Sequence, residues 1–154
     1  MILAALALIG GAASAYQSIA TVEGIAKVKD GDGILFGEVE VRLQGIAAPE
    51  DNSKNRHPNG PAATAELRRL AEGRTVICHL DGTTTGKGSR WRPVGRCAVA
   101  GLDLGGALVL GGYARDCPRY SGGDYAAHEA TAKAAGRDLS RTYRLPPYCP
   151  VRKP

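Results

Sequence analysis

Charged side chains with the spacing of a phosphate-binding site occur along the chain. Asp32 closes a D-G-D turn, where a carboxylate can face a hard cation such as calcium. Arg42 lies in a strand-like segment, Glu50 follows it shortly, and Arg96 lies in a later strand-like segment. A cation polarises phosphate, arginines bind its oxygens, and a carboxylate can take a proton from water. Together these residue types predict phosphoryl chemistry.

Each residue of this set also has a simpler structural explanation. Aspartate and glycine are the residues that turns prefer, and a surface arginine usually forms a salt bridge that contributes little. An EF-hand is excluded, because Ile34 and Leu35 would occupy the middle of its loop. These residues therefore indicate phosphoryl chemistry only as a group, and only if the secondary structure brings them together.

The surrounding segments predict a mainly β domain of the α+β class. Pro61 suits the first turn of a helix, and Gly73 suits its end. The five predicted strands suit a five-stranded OB-fold barrel, accompanied by three helices. The strands are expected at 19–28, 34–36, 38–43, 75–82 and 94–101, and the helices at 61–73, 103–113 and 125–136.

The amino-terminal segment predicts export. Residues 1–15 carry no charge, and a short apolar run is followed by an A-x-A motif, which is typical of a signal peptide. An apolar run this short cannot span a membrane as a helix. The alternative is an amino-terminal helix that packs on the domain. We expect a signal peptide at 1–15, a single domain at 16–154, and a periplasmic or secreted protein without a stable membrane span.

Four cysteines agree with export. None forms a CxxC pair, so a zinc knuckle is disfavoured, and an even count in an exported chain favours two disulfides. Three pairings are possible. If the strands that carry Cys78 and Cys97 are neighbours, these two pair, which leaves Cys117 with Cys149 at the tail.

The charge balance favours an anionic partner. The 154 residues carry a net charge of +5, and most of the basic residues are arginines, which bind phosphate and carboxylate groups with two donors. The simpler alternative is a solvated basic surface. We expect a monomer whose partner is nucleic acid or another phosphate-bearing or anionic polymer.

The motifs resemble those of the staphylococcal nuclease (thermonuclease) family, and they follow the family's order. The resemblance implies an OB barrel with three helices and calcium-dependent hydrolysis of DNA and RNA. It covers nearly all of the chain after residue 15. The matching motifs are DGDG at 30–33, VRLQGIAAPE at 41–50, NGPAATAELRRL at 59–70, VGRCAVAGLDL at 94–104 and YAAHEATAKAAGRDLS at 125–140.

The resemblance assigns roles to individual residues. Asp32 is similar to a calcium ligand, and the backbone carbonyl of Ala48 is expected to be another. Arg42 and Arg96 are similar to the two phosphate-binding arginines. Glu50 is similar to the proposed general base that acts on the attacking water.

Three positions depart from the family's pattern. Ala47 replaces a second calcium-binding aspartate, Gly33 a threonine, and Val94 a tyrosine. Tyr120 is the best remaining candidate to stack on a base. Because calcium affinity follows the number and charge of its ligands, we expect activity to be reduced by orders of magnitude or lost.

Two functions therefore remain open. The first is an exported nuclease with impaired hydrolysis, in which Asp51, Glu40 or His57 replaces the missing ligand. The second is a non-catalytic binding or accessory module for nucleic acid, a nucleotide or an anionic polysaccharide, including a role in exopolysaccharide biosynthesis. A third interpretation is a disulfide-stabilised envelope domain whose arginines form surface pairs only.

Overall fold

The computed structural model describes residues 16–86 and 91–151, so the signal peptide predicted at 1–15 lies outside the described residues. The fold mixes α and β structure with strands predominating, which confirms the predicted class. The strands are β1 (Ala20–Ile25), β2 (Lys27–Asp30), β3 (Gly33–Phe36), β4 (Val39–Leu43), β5 (Ile46–Ala47), β6 (Thr75–Thr85), β7 (Arg92–Val99), β8 (Leu102–Asp103) and β9 (Arg115–Asp116). The helices are α1 (Gly60–Ala71), α2 (Leu104–Leu110), α3 (Pro118–Ser121) and α4 (Ala126–Ala134), with a 3₁₀-helix at Leu139–Arg141.

Seven strands form one sheet in the order β1-β6-β7-β4-β3-β2, with β8 paired to β7. The strand pairs are antiparallel except β4 and β7, which run parallel with Arg42 opposite Val94. Over the described residues this sheet is open, and a closed five-stranded barrel is not shown. The additional strands β5, β8 and β9 each span two residues. An alternating residue pattern cannot reveal strands this short.

The predicted strand at 19–28 is interrupted at Ala26. The backbone N–H of Ala26 donates to the carbonyl of Arg74, and the carbonyl of Ala26 accepts from Gly73. The chain therefore leaves its pairing with β6 and enters the β2–β3 hairpin. This change of partner places the D-G-D turn next to β4, where Leu43 donates to the carbonyl of Asp32 at 2.8 Å.

Helix α1 fixes the loop that carries Glu50. It begins at Gly60, one residue before the predicted start, and Pro61 lies in its first turn. A Cβ on Gly60 would lie 2.1 Å from the carbonyl oxygen of Glu50, so only glycine allows this close approach. The apolar face of the helix, including Leu67, packs into the core. The 50s loop is thereby held against the body of the protein.

Both disulfides join the predicted partners. Cys78 and Cys97 lie opposite each other on β6 and β7 and form one bond. Cys117 and Cys149 form the other, which ties the tail to the start of α3. Two disulfides suit an oxidising, exported compartment. Among the described helices, none has the length and apolar character needed to cross a membrane.

Candidate anion-binding site

A cleft of about 620 Å³ opens beside β4, β7 and α3. Its floor comes from the strands, and one wall comes from α3 and the tail. Parallel pairing of β4 with β7 brings residues that are far apart in sequence to this one surface. The charged and aromatic residues that line the cleft include Arg42, Arg92, Arg119, Glu50, Asp81, Tyr120 and Tyr148, and Thr83, Thr84 and Thr85 also line it.

Arg42 is held by a buried carboxylate. Its Nη1 lies 2.7 Å from Oδ2 of Asp32, and both side chains are largely buried. Burial raises the pKa of Asp32 to about 6, although the Arg42 guanidinium opposes that rise. Burial also disfavours the charged guanidinium, but Asp32 together with Tyr148, Glu50 and Asp30 outweighs this effect and raises the pKa of Arg42. An anionic ligand would therefore meet a cation that one carboxylate already balances.

Ala47 is a packing position. Its side chain is 1% exposed and lies in a small apolar cluster with the Cys117–Cys149 disulfide, and Tyr143 and Leu145 pack against this cluster. A methyl group fits between β5 and the disulfide-tethered tail. The tail thus covers the position at which the resembled family carries its second aspartate.

The carbonyl of Ala48 already has a donor. The hydroxyl of Tyr143 donates to this oxygen at 3.1 Å. The His57 and Tyr143 rings pack edge to face, with centroids 5.2 Å apart. The backbone oxygen that the resemblance assigned to calcium therefore accepts a hydrogen bond from the tail.

The three side chains considered as replacement ligands have partners of their own. Asp51 pairs with Arg56 at 3.3 Å. Glu40 forms ion pairs with two basic residues, Lys29 and Arg92. His57 Nδ1 accepts from the backbone of Asn59 at 3.1 Å, which leaves Nε2–H to donate to the carbonyl of Thr142.

These donors fit a calcium ion poorly. Asp32 faces an arginine, position 47 offers no oxygen from its side chain, and the carbonyl of Ala48 is engaged. Throughout the part of the chain that the structure describes, no cluster of three His, Cys, Asp or Glu side chains could hold a metal ion. Calcium prefers six to eight oxygen ligands. The arrangement suits an anion better than a cation.

Arg96 lies beside the cleft and does not line it. Its Nε donates to Oε1 of Gln44 at 3.2 Å, and its Nη2 pairs with the carboxylate of Asp124. The guanidinium also lies 4.5 Å from the centroid of the Tyr16 ring. Because Arg42 is paired with Val94 and residues two apart on β7 share a face, Arg96 lies on the same face of the sheet as Arg42, with its guanidinium engaged by Gln44 and Asp124.

Two arginines that no sequence motif indicated, Arg92 and Arg119, line the cleft. Arg92 lies on β7 and donates to Oε1 of Glu40 at 2.8 Å. Arg119 is exposed, and its guanidinium lies 5.8 Å from the centroid of the Tyr120 ring. Alternation along β7 places Arg92 on the same face as Arg96, so a stricter use of strand periodicity could have found it. Arg119 has no comparable signal beyond its neighbour Tyr120.

Two tyrosines form an open aromatic wall. Tyr120 is 52% exposed and Tyr148 is 44% exposed. Their ring centroids lie 6.3 Å apart at an interplanar angle of 60°. Tyr120 was expected to contact the ligand, and it lines the cleft. Tyr148 was not expected, although the predicted Cys117–Cys149 disulfide ties the tail to the start of α3, close to Tyr120.

Comparison with known proteins adds no assignment to this geometry. No protein-family model matches the chain, and no curated protein matches it. The chemistry of the cleft therefore follows from its lining alone. Three arginines, three threonines and two partly exposed phenol rings suit a ligand that carries both anionic groups and flat faces.

Proposed function

We propose that this chain is an exported, thermonuclease-like protein that binds nucleic acid in the arginine-lined cleft and has lost most or all calcium-dependent hydrolysis. The observation that carries this proposal is the position of the tail. Its Tyr143 hydroxyl and the Cys117–Cys149 disulfide engage Ala48 and Ala47, the two positions at which calcium would need further oxygens. The anion-binding side of the site remains open to solvent.

The distribution of charge supports binding. Three arginines line one cleft, and a guanidinium offers forked donors that match phosphate oxygens. Arg42 and Arg92 are partly balanced by carboxylates, whereas Arg119 stands at the exposed rim. We expect affinity from several moderate contacts along a phosphate backbone rather than from one tight phosphate pocket.

The order of the longer elements supports the OB-type scaffold. The interrupted β1–β2 segment, β3 and β4 precede α1, and β6 and β7 follow it. This is the order expected for five strands with a helix between the third and the fourth. The finer family and fold assignments remain part of the proposal, together with the envelope or extracellular location.

Fluorescence anisotropy with a labelled oligothymidylate tests the proposal. We expect the purified, disulfide-bonded chain to bind it in the presence of chelator, and calcium or manganese to cause no cleavage. Arg119→Gln should weaken binding about fivefold to tenfold through loss of one phosphate contact. Arg68→Gln, which removes the same charge from the exposed face of α1, should change binding less than twofold.

Two results would overturn this assignment. Rapid cleavage that starts with calcium and stops with chelator would restore the nuclease hypothesis. Failure to bind at micromolar concentrations, or stronger binding of an acidic polysaccharide than of the oligonucleotide, would remove nucleic acid as the ligand. Stronger binding of the acidic polysaccharide would favour the accessory role at the cell envelope.

A further inference from the structure

We infer that Tyr148, together with Tyr120, stacks on an unpaired base of the bound strand, and that the Cys117–Cys149 disulfide fixes this pair in place. The inference rests on the proposed function and identifies a base as the part of the ligand that the tail contacts. The tail segment 143–149 is called the strap below. Its residue Tyr148 lines the cleft, and the segment ends at the buried Cys149.

The two rings are placed for contact with a flat ligand. Both line the cleft, and both keep about half of their surface accessible. Their edge-to-face arrangement leaves ring area that another ring can cover. A base placed against Tyr120 or Tyr148 would bury apolar surface that the free protein leaves in water.

The backbone beneath each ring is already ordered. The N–H of Arg119 donates to the carbonyl of Cys149 at 2.9 Å, and the N–H of Tyr120 donates to the carbonyl of Cys117 at the same distance. Gln44 on the neighbouring turn donates from its side chain to the carbonyl of Tyr120. A ligand would therefore lose little affinity to the ordering of these residues.

Phosphate-binding groups flank the aromatic pair. Arg119 precedes Tyr120 directly in the chain, and Arg42 is close enough to Tyr148 for its charge to oppose the rise that burial causes in the pKa of the Tyr148 phenol. Alternation of rings and arginines matches the alternation of bases and phosphates along a single strand. In a duplex the faces of the bases are hidden by stacking, so an unpaired strand suits this wall better.

Binding in chelator to two ligands of equal length and charge tests the inference. One is oligothymidylate, and the other is the same backbone with abasic sites. Tyr148→Ala should weaken binding of oligothymidylate about tenfold, because one stacked base is lost, and should leave binding of the abasic strand within twofold. Tyr148→Phe keeps the ring and should bind as the natural chain does.

A matched control comes from the same tail. Val151→Ala, at an exposed position just beyond the strap, should leave both affinities unchanged. Equal binding of oligothymidylate by the natural chain and Tyr148→Ala would overturn the inference while leaving the proposed function intact. Failure of the natural chain to bind either ligand would overturn both.

Removal of the Cys117–Cys149 disulfide tests whether this bond fixes the two rings in place. The double variant Cys117→Ala/Cys149→Ala should lose affinity for oligothymidylate about as much as Tyr148→Ala does and should keep its affinity for the abasic strand. Unchanged binding of oligothymidylate by this variant would show that the disulfide does not position the rings. Because Tyr148→Ala leaves the disulfide intact, it answers the question of stacking even if the double variant fails to fold.

Discussion

Position 47 carries a methyl group where the resembled family carries a carboxylate. The structure shows that the methyl group is 1% exposed and packs beside the Cys117–Cys149 disulfide. The strap therefore explains the absence of the acid, because its disulfide packs against position 47. Restoring the acid alone would place a carboxylate among sulfur and apolar atoms.

We predict that Ala47→Asp lowers the free energy of unfolding by about 3 kcal/mol, because it buries a charge without a partner. We also expect no gain in calcium-dependent cleavage. Urea unfolding at neutral pH measures the first effect. Ala127→Asp, at an exposed position near the start of α4, should change stability by less than about 0.5 kcal/mol. A stable Ala47→Asp variant that cleaves DNA would contradict this prediction, because it would show that the strap moves aside at little cost in stability.

A second residue-scale prediction concerns Glu129. Burial alone would raise the pKa of Glu129, but hydrogen bonds from Lys133, Arg115 and the backbone N–H of Asp116 outweigh it and lower that pKa. A lowered pKa in the folded state stabilises the protein above the carboxyl's ordinary pKa. This contribution is lost as the pH falls through the folded-state pKa.

Glu129→Gln should therefore destabilise the protein by about 2 kcal/mol at pH 7, through loss of charged hydrogen bonds. At a pH below the lowered pKa of Glu129, the difference between the two proteins should nearly vanish. Urea unfolding across this pH range measures both limits. A difference that stayed constant with pH would assign the loss to altered packing instead of to the charge.

The sequence predicted the site residues only in part. Asp32 and Arg42 were expected together, and the structure joins them in an ion pair. Arg96 was expected beside them, and it lies on the same face of the sheet, where Asp124 and Tyr16 engage its guanidinium. Such partners lie far away in the sequence, so no local pattern reveals them.

At the scale of elements, local sequence patterns predicted the helices and strands whose formation depends on local contacts. The β3–β4 hairpin and the start of α1 lie close to their predicted positions, because a turn glycine and a first-turn proline define them. The β5–β9 pair and α3 were not predicted. Their formation depends on Ile46 meeting Asp116 across a long stretch of chain.

The junction between α1 and the Glu50 loop yields an element-scale prediction. Gly60→Ala should lower the free energy of unfolding by about 3 kcal/mol, because its Cβ would overlap the carbonyl oxygen of Glu50. Thermal and urea unfolding measure this loss. Gly24→Ala is the matched control, since its Cβ would meet only Phe36 at an ordinary 3.4 Å. Equal stability of both variants would mean that the loop shifts freely.

At the scale of the whole molecule, a net charge of +5 accompanies a cleft lined by three arginines. Binding of a single strand should therefore release counterions. We predict that the logarithm of the binding constant falls with the logarithm of salt concentration with a slope of about −2, from roughly three phosphate contacts at about 0.7 each. Anisotropy titrations in increasing potassium chloride measure the slope. A slope near zero would contradict a phosphate-dominated interface.

The two disulfides together enclose a large part of the chain in covalent loops. One loop runs from Cys78 to Cys97, and the other runs from Cys117 to Cys149. A protease that cuts once inside either loop produces two polypeptides that remain one molecule. The nick becomes visible on a gel only after reduction, so such a protein can survive proteolytic surroundings without releasing a fragment.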